Sequence, residues 1–268
     1  MNTRWPIVSP KSRHVNREPA DRQTVVERLR ARLAGLEAVS RGGSKVMALG
    51  LPGIDGVLPG GGLARGCLHE LCGAPSLGAA LGFATVLLGR LMAAGGHVVW
   101  IGPRIELFGP GLAELGLAPE RLIVVRARPR EARLWALEEA LRSPGLVAAL
   151  AETGPPTLTQ SRRLQLAAET KGVTALLLRP SGAAAPSAAT TRWQIAAAPS
   201  ASAGRPQQSS GLPHWRIELM RCRGGRTGSW RIVWHGDGWH EIPDSVALAA
   251  ESADRSAAPA GPTRRRRA

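Results

Sequence analysis

The chain is poor in the residues that build crosslinks and metal sites. Its cysteines, Cys67, Cys72 and Cys222, are odd in number and form no C-x-x-C pair. That spacing excludes both a disulfide framework and a structural zinc site. The six histidines are scattered, with no H-x-x-x-H cluster. No apolar run approaches the ~20 residues that cross a bilayer. Trp5, Pro6, Pro10, Lys11 and Arg13 interrupt the amino terminus too early for a signal peptide. Together these absences point to a reducing cytoplasm and to no membrane partner. Acidic residues are also scarce, 20 against 35 Lys and Arg, which leaves a net charge of +15. Lysine is scarcer still, confined to Lys11, Lys45 and Lys171, so the positive charge is almost all arginine. The imbalance favours a polyanionic or acidic partner; a solvated basic surface is the alternative.

A hydrophobic content of 44% over 268 residues is enough for one substantial core or two small ones. Residues 1–44 read as a polar, proline-bearing arm followed by an amphipathic helix over residues 21–39. In that helix Val25, Val26, Leu29, Leu33 and Leu36 recur at helical spacing. Leu29 and Leu33 mark its apolar stripe, which docks either on the protein's own core or on another protein. From residue 66 onward short apolar runs alternate with helical patterns. "GCLHEL", "HVVWIG", "RLIVVRA", "LVAALAE" and "VTALLLRP" read as strands. Residues 77–95, 111–117, 129–143 and 159–172 read as helices between them. Such alternation predicts an α/β fold with a mainly parallel sheet. Beyond "RWQIAAA", Trp215, Ile217 and Leu219 alternate with Arg216 and Glu218, and Trp230, Ile232 and Trp234 alternate again after "GGRTG". That pattern predicts an antiparallel meander. Residues 244–268 lose all periodicity and end in Arg264, Arg265, Arg266 and Arg267, a disordered basic tail. The expected domains are therefore 1–44, a core over 45–243, and the tail 244–268.

The stretch "ELCGAPSLGAALGF" has the outline of a phosphate-binding loop, G-x-x-x-x-G-K-[ST] between strand and helix. Gly73 and Gly78 keep the spacing, but Ala79 and Ala80 stand where Lys and Thr belong. Upstream, "LGLPGIDGVLPGGGLARGCLHEL" resembles the entry into the core of RecA-type recombinases. "VVERLRARLAGLEA", "LPGIDGVLPGGGLARGCLHEL", "TTRWQIAAAPS" and "WRIELMRCRGGRTGSWRIVWHGDGWHEI" together resemble one branch of that superfamily. This is the ImuA family of accessory proteins of bacterial damage-induced mutagenesis. The resemblance covers residues 25–243. It implies a RecA-like P-loop-type core and a role in error-prone translesion synthesis within the SOS response. The implied partners are a polymerase-like protein of the Y family and an error-prone DNA polymerase of the C family. RecA and single-stranded DNA are further candidates.

Alanine can neither neutralise β/γ-phosphate charge nor ligate Mg²⁺. In the RecA-like alignment Arg104 falls near the place of the catalytic carboxylate, with Glu106 displaced. Only Glu152 is available as the acid ending "LVAALAE", and Arg179-Pro180 replaces a polar sensor. The expectation is a pseudo-ATPase, with no catalytic residue, no metal and no cofactor. Alternatives are a DNA-stimulated ATPase with a divergent loop, or a cell-division inhibitor of the same degenerate superfamily. The full core and basic tail speak against the inhibitor. Cys72 and His69 read as packed strand residues rather than as a nucleophile and base. Trp215, Trp230, Trp234 and Trp239 lie beside Arg216, Arg221, Arg223, Arg226 and Arg231. That set could stack bases and neutralise phosphates of single-stranded DNA. Alternation instead assigns Trp215, Trp230 and Trp234 to a core against the last helix, with the arginine face left for DNA or a partner.

Overall fold

A computed structural model describes residues 46–242, apart from 94, 183–184, 200–211 and 237. The amphipathic helix carrying Leu29 and Leu33, and the tail carrying Arg264 to Arg267, lie outside the described residues.

Among the described residues, eleven strands and five α-helices follow in chain order. A small antiparallel pair, β1 (Val46–Met47) and β2 (Leu63–Ala64), brackets the short helix α1 (Pro52–Asp55). Asp55 closes this entry by accepting from the backbone N–H groups of Leu49, Gly50 and Leu51 at 2.8–3.2 Å. There follow β3 (Leu68–Gly73), α2 (Leu77–Met92), β4 (His97–Gly102), α3 (Gly109–Glu114) and β5 (Leu122–Arg126). Then come α4 (Arg130–Arg142), β6 (Leu146–Glu152), α5 (Leu158–Lys171) and β7 (Thr174–Pro180). The described residues close with β8 (Thr191–Ala197), β9 (His214–Cys222), β10 (Gly228–Trp234) and β11 (Trp239–Glu241).

Nine strands form one sheet in the order β11-β10-β9-β8-β3-β7-β6-β4-β5. The six from β8 to β5 are parallel, and β8 to β11 are antiparallel. Strand β8 is thus the hinge of the architecture, parallel to β3 on one side and antiparallel to β9 on the other. The α/β expectation holds, and the meander extends the parallel sheet.

Every residue of β3 is buried, because the strand lies mid-sheet with a layer on each face. Its alternation distributes the two cores. Leu71 joins Leu176, Leu178, Trp193 and Ile195 beneath α2, whose Ala80, Phe83, Ala84, Leu87, Leu88 and Leu91 form the facing stripe. Leu68 joins Val99, Ile101, Ala175 and Leu177 beneath α4 and α5.

The helices are locally specified. Thr157 and Gln160 form a reciprocal capping box at the start of α5, and Gly172 ends it in the left-handed region at φ 71°. Glu138 of α4 accepts from Arg163 of α5 at 2.7 Å, tying the two helices together.

The tryptophans sit in the α2-side core. Trp215, Trp234 and Trp239 are buried, and Trp230 packs partly buried against them. Phe83 of α2 stacks on Trp239 at 5.1 Å and meets Trp215 edge-on at 6.2 Å. The core reading of Trp215, Trp230 and Trp234 is therefore right, but their helix is α2 rather than the last one. The reason is the sheet order: β8 and β9 continue the face that α2 covers.

Candidate functional site

In open α/β sheets ligands bind at the carboxyl ends of the strands, where neighbouring connections leave on opposite faces. Here that point lies between β3 and β7. The β3 connection enters α2 on one face. The segment after β7 runs down the other face, where Ala188 N–H donates to Ser161 of α5 at 3.0 Å. The glycine loop therefore occupies the position that chemistry would need.

The loop is short and closed. Helix α2 already begins at Leu77, leaving 74–76 as the connection. A Cβ on Gly73 would sit 2.6 Å from the Ser76 carbonyl oxygen and 2.8 Å from Leu77 Cα, so only glycine fits. Gly78 is different, since a Cβ there would meet only the Ser76 hydroxyl at 3.8 Å. Two positions of the connection offer a phosphate no backbone donor. Ala74 N–H donates to Ile195 O at 3.0 Å, and Pro75 has no N–H. On the other side Ser181 N–H donates to Gly73 O at 2.8 Å, bridging β3 to the end of β7. Ala80 is fully buried in the core, and the carbonyl of half-buried Ala79 accepts from Trp215 Nε1 at 2.9 Å.

The acid that ends β6 is also engaged. Glu152 does end β6, but its Oε1 accepts from Trp100 Nε1 at 2.8 Å. Burial pushes its carboxyl up, with the Trp100 hydrogen bond and the Arg133 charge offsetting only part of the rise. Arg104 and Glu106 are exposed on the connection between β4 and α3.

Arg179 is turned by strand alternation to the α5 side of the sheet. It meets a feature that local sequence patterns do not reveal, a buried Arg-Glu-Arg cluster across three adjacent strands. Glu70 Oε2 accepts from Arg179 Nε and Nη2 at 3.3 and 3.2 Å and from Arg192 Nε at 2.7 Å. Arg192 also donates to Ala185 O at 2.7 Å. Burial alone would raise the Glu70 carboxyl. Hydrogen bonds from Arg192 and Ser187, with both guanidinium charges, outweigh it and hold Glu70 below the ordinary glutamate value. Cys72 lies above Glu70 on the same face, where burial pushes its thiol up despite Arg179. A protonated, enclosed thiol is a packing group.

On the opposite face His69 closes a directional chain. The Trp193 indole can only donate, so it gives its proton to Thr191 Oγ1 at 2.7 Å. The Thr191 hydroxyl then donates to His69 Nδ1 at 2.7 Å, leaving Nε2–H to donate to Ala64 O at 2.8 Å. Burial favours the neutral ring this chain requires and lowers the His69 pKa to about 4, with the Ala64 hydrogen bond pulling the other way. His69 is a structural pin between β2, β3 and β8.

The meander arginines separate into two groups. Arg221 donates to Ser187 O and Arg223 to Ala188 O, both at the amino edge of the parallel strands. Arg226 lies exposed in the turn beside them, its N–H on Val57 O at 3.1 Å. Arg216 and Arg231 stand directly opposite each other across β9 and β10, on the face away from α2. The structure therefore does not gather the five arginines into one groove, and the tryptophans beside them are in the core. Among the described residues no His/Cys/Asp/Glu group could hold a metal ion, and no helix is long and apolar enough to cross a membrane.

No protein-family model matches the chain. Two curated relatives do, each described as Protein ImuA, from Caulobacter vibrioides strains NA1000 / CB15N and ATCC 19089 / CIP 103742 / CB 15. Each is 44% identical over 247 residues, spanning 86% of this chain and 99% of the relative. Identity at that level over nearly the whole relative goes far beyond a shared glycine loop: the chain belongs to the ImuA family.

Proposed function

We propose that this protein is a non-catalytic, RecA-like accessory factor of error-prone translesion DNA synthesis in the bacterial DNA-damage response. In this reading it joins a Y-family polymerase-like protein to an error-prone C-family polymerase, with RecA as a further contact. Family membership supports the setting. One observation carries the non-catalytic part: the loop at the carboxyl end of β3 keeps its position but not its chemistry. Ala80 is buried, Pro75 has no donor, the Ala74 N–H is spent on Ile195 and Glu152 is held by Trp100. Phosphoryl transfer depends almost wholly on positioned charge and metal, so a fold without them serves as a scaffold.

Two measurements test the two halves. Purified protein with Mg²⁺-ATP and single-stranded DNA should release no phosphate above background; sustained turnover would overturn the non-catalytic role. Affinity capture from DNA-damaged cells should recover both polymerases together. Recovery of neither, or of each only in separate complexes, would remove the joining role.

A further inference from the structure

Two segments meet at the carboxyl edge of β4 and β5, three and four strand positions from β3. At ~4.8 Å per strand this is on the order of 15–19 Å from the glycine loop. Pro103, Arg104, Ile105 and Glu106, following β4, and Arg126 and Arg128, from the end of β5, line an open cavity of about 510 Å³. Three guanidiniums face one carboxylate.

Nearby arginines are used internally. Arg121 donates to Met92 O at 3.1 Å, Arg130 to Pro155 O at 2.7 Å and Arg133 to Ala127 O at 3.1 Å. Arg104, Arg126 and Arg128 are exposed, and among the described residues no acceptor meets any of them. Their fork donors remain available to an anion. Phe108 belongs to the same connection, two residues beyond Glu106, and is 73% exposed. The chain has two phenylalanines. Phe83 is in the core, whereas Phe108 presents its ring to solvent.

We propose that this edge is a binding site for single-stranded DNA. Arg104, Arg126 and Arg128 grip successive phosphates, and the Phe108 ring stacks on an unpaired base. Unpaired arginines at a cavity whose bordering connection also carries an exposed aromatic ring suit a single strand, because every unpaired base offers a π-face whatever its identity. A duplex hides those faces and would leave Phe108 without a role. A mononucleotide would find an open trough with no enclosing wall. An acidic peptide could occupy the arginines but has no base for the ring. The site differs from the meander arginines and does not depend on whether the protein hydrolyses ATP.

The full-length chain should be tested with an oligothymidylate of about 20 nucleotides, by fluorescence anisotropy across a salt series. The triple variant Arg104→Ala, Arg126→Ala, Arg128→Ala removes three phosphate contacts. At ~0.7 per phosphate it should flatten the log-log salt slope by about 2 and weaken low-salt binding roughly 10- to 100-fold. Phe108→Ala should leave the slope unchanged and weaken binding by roughly 5- to 100-fold. Photocrosslinking with 5-iodouracil in the oligonucleotide should label the peptide that contains Phe108. All four side chains are exposed or line the open trough, so melting temperatures should match wild type. An unchanged slope in the triple variant would overturn the proposal. So would crosslinks confined to residues 200–268, or competition by duplex DNA or poly-glutamate as strong as by the single strand. None of these outcomes bears on phosphate release or polymerase capture.

Discussion

Glu70 and His69 are neighbours on one strand, yet their side chains face opposite layers and solve different problems of burial. Glu70 is the counter-ion for two guanidiniums, and removing one member of a buried charge cluster strands the others. Glu70→Gln keeps the size and loses the charge. It should destabilise the fold by about 3–5 kcal/mol in urea unfolding, the range seen when a buried pair is broken. His69 instead must stay neutral. Its folded pKa of about 4 lies below the ordinary histidine value of 6.5, so the unfolded chain binds the proton more readily between these limits. The stability this provides is complete above pH 6.5 and is lost as pH falls towards 4. A shift of this size corresponds to about 3 kcal/mol at its full extent. Glu70, also depressed, adds a loss of the same sign at still lower pH. Unfolding measured from pH 7 to 4 should therefore show falling stability, and His69→Gln, which cannot titrate, should flatten the profile over that window. A wild-type profile that is already flat would contradict the buried neutral ring.

At the scale of elements, the turn from β3 into α2 separates two glycines that look equivalent in the motif. Gly73→Ala forces a Cβ against the Ser76 carbonyl and Leu77 and should lower the melting temperature markedly. Gly78 lies in the first turn of α2 with open space around it, so Gly78→Ala should be neutral or stabilising by up to about 1 kcal/mol. Equal destabilisation by both would mean that the loop geometry is wrong. Much of this architecture is legible in the sequence. "HVVWIG" and "LVAALAE" become β4 and β6 with unchanged bounds, because a strand buried on both faces is written as a continuous apolar run. The β1–β2 pair and α1 are too short to carry a period, so no pattern announces them. Glu70 was equally hidden, since its partners lie 109 and 122 residues away. Arg179 reads as a misplaced sensor until alternation is followed to its end and turns the side chain towards Glu70. The tryptophans were assignable to a buried face, but which helix covers that face depends on β8 pairing with β3, a non-local fact.

For the whole molecule, the decisive property is that a nucleotide site needs the ends of several strands at once. Restoring the motif alone, with Ala79→Lys and Ala80→Thr, tests whether those ends still cooperate. The pair returns an ammonium for phosphate charge and a hydroxyl for Mg²⁺. It does not return the N–H that Pro75 lacks, or release Ala74 from Ile195 on β8. Glu152 on β6 stays hydrogen-bonded to Trp100 on β4. Arg179 on β7 stays committed to Glu70 on the other face. Threonine at position 80 also enters a fully buried site, and overpacking of that kind costs about 1–3 kcal/mol. The expected outcome is a double variant that melts earlier and releases no phosphate from Mg²⁺-ATP, with or without single-stranded DNA. Weak nucleotide binding without turnover would fit the same account, because a lysine alone can attract phosphate. Turnover by the double variant but not by wild type would show that β6 and β7 still supply a working site and that only two side chains had been lost. Turnover by wild type would make the protein an enzyme and overturn the non-catalytic reading.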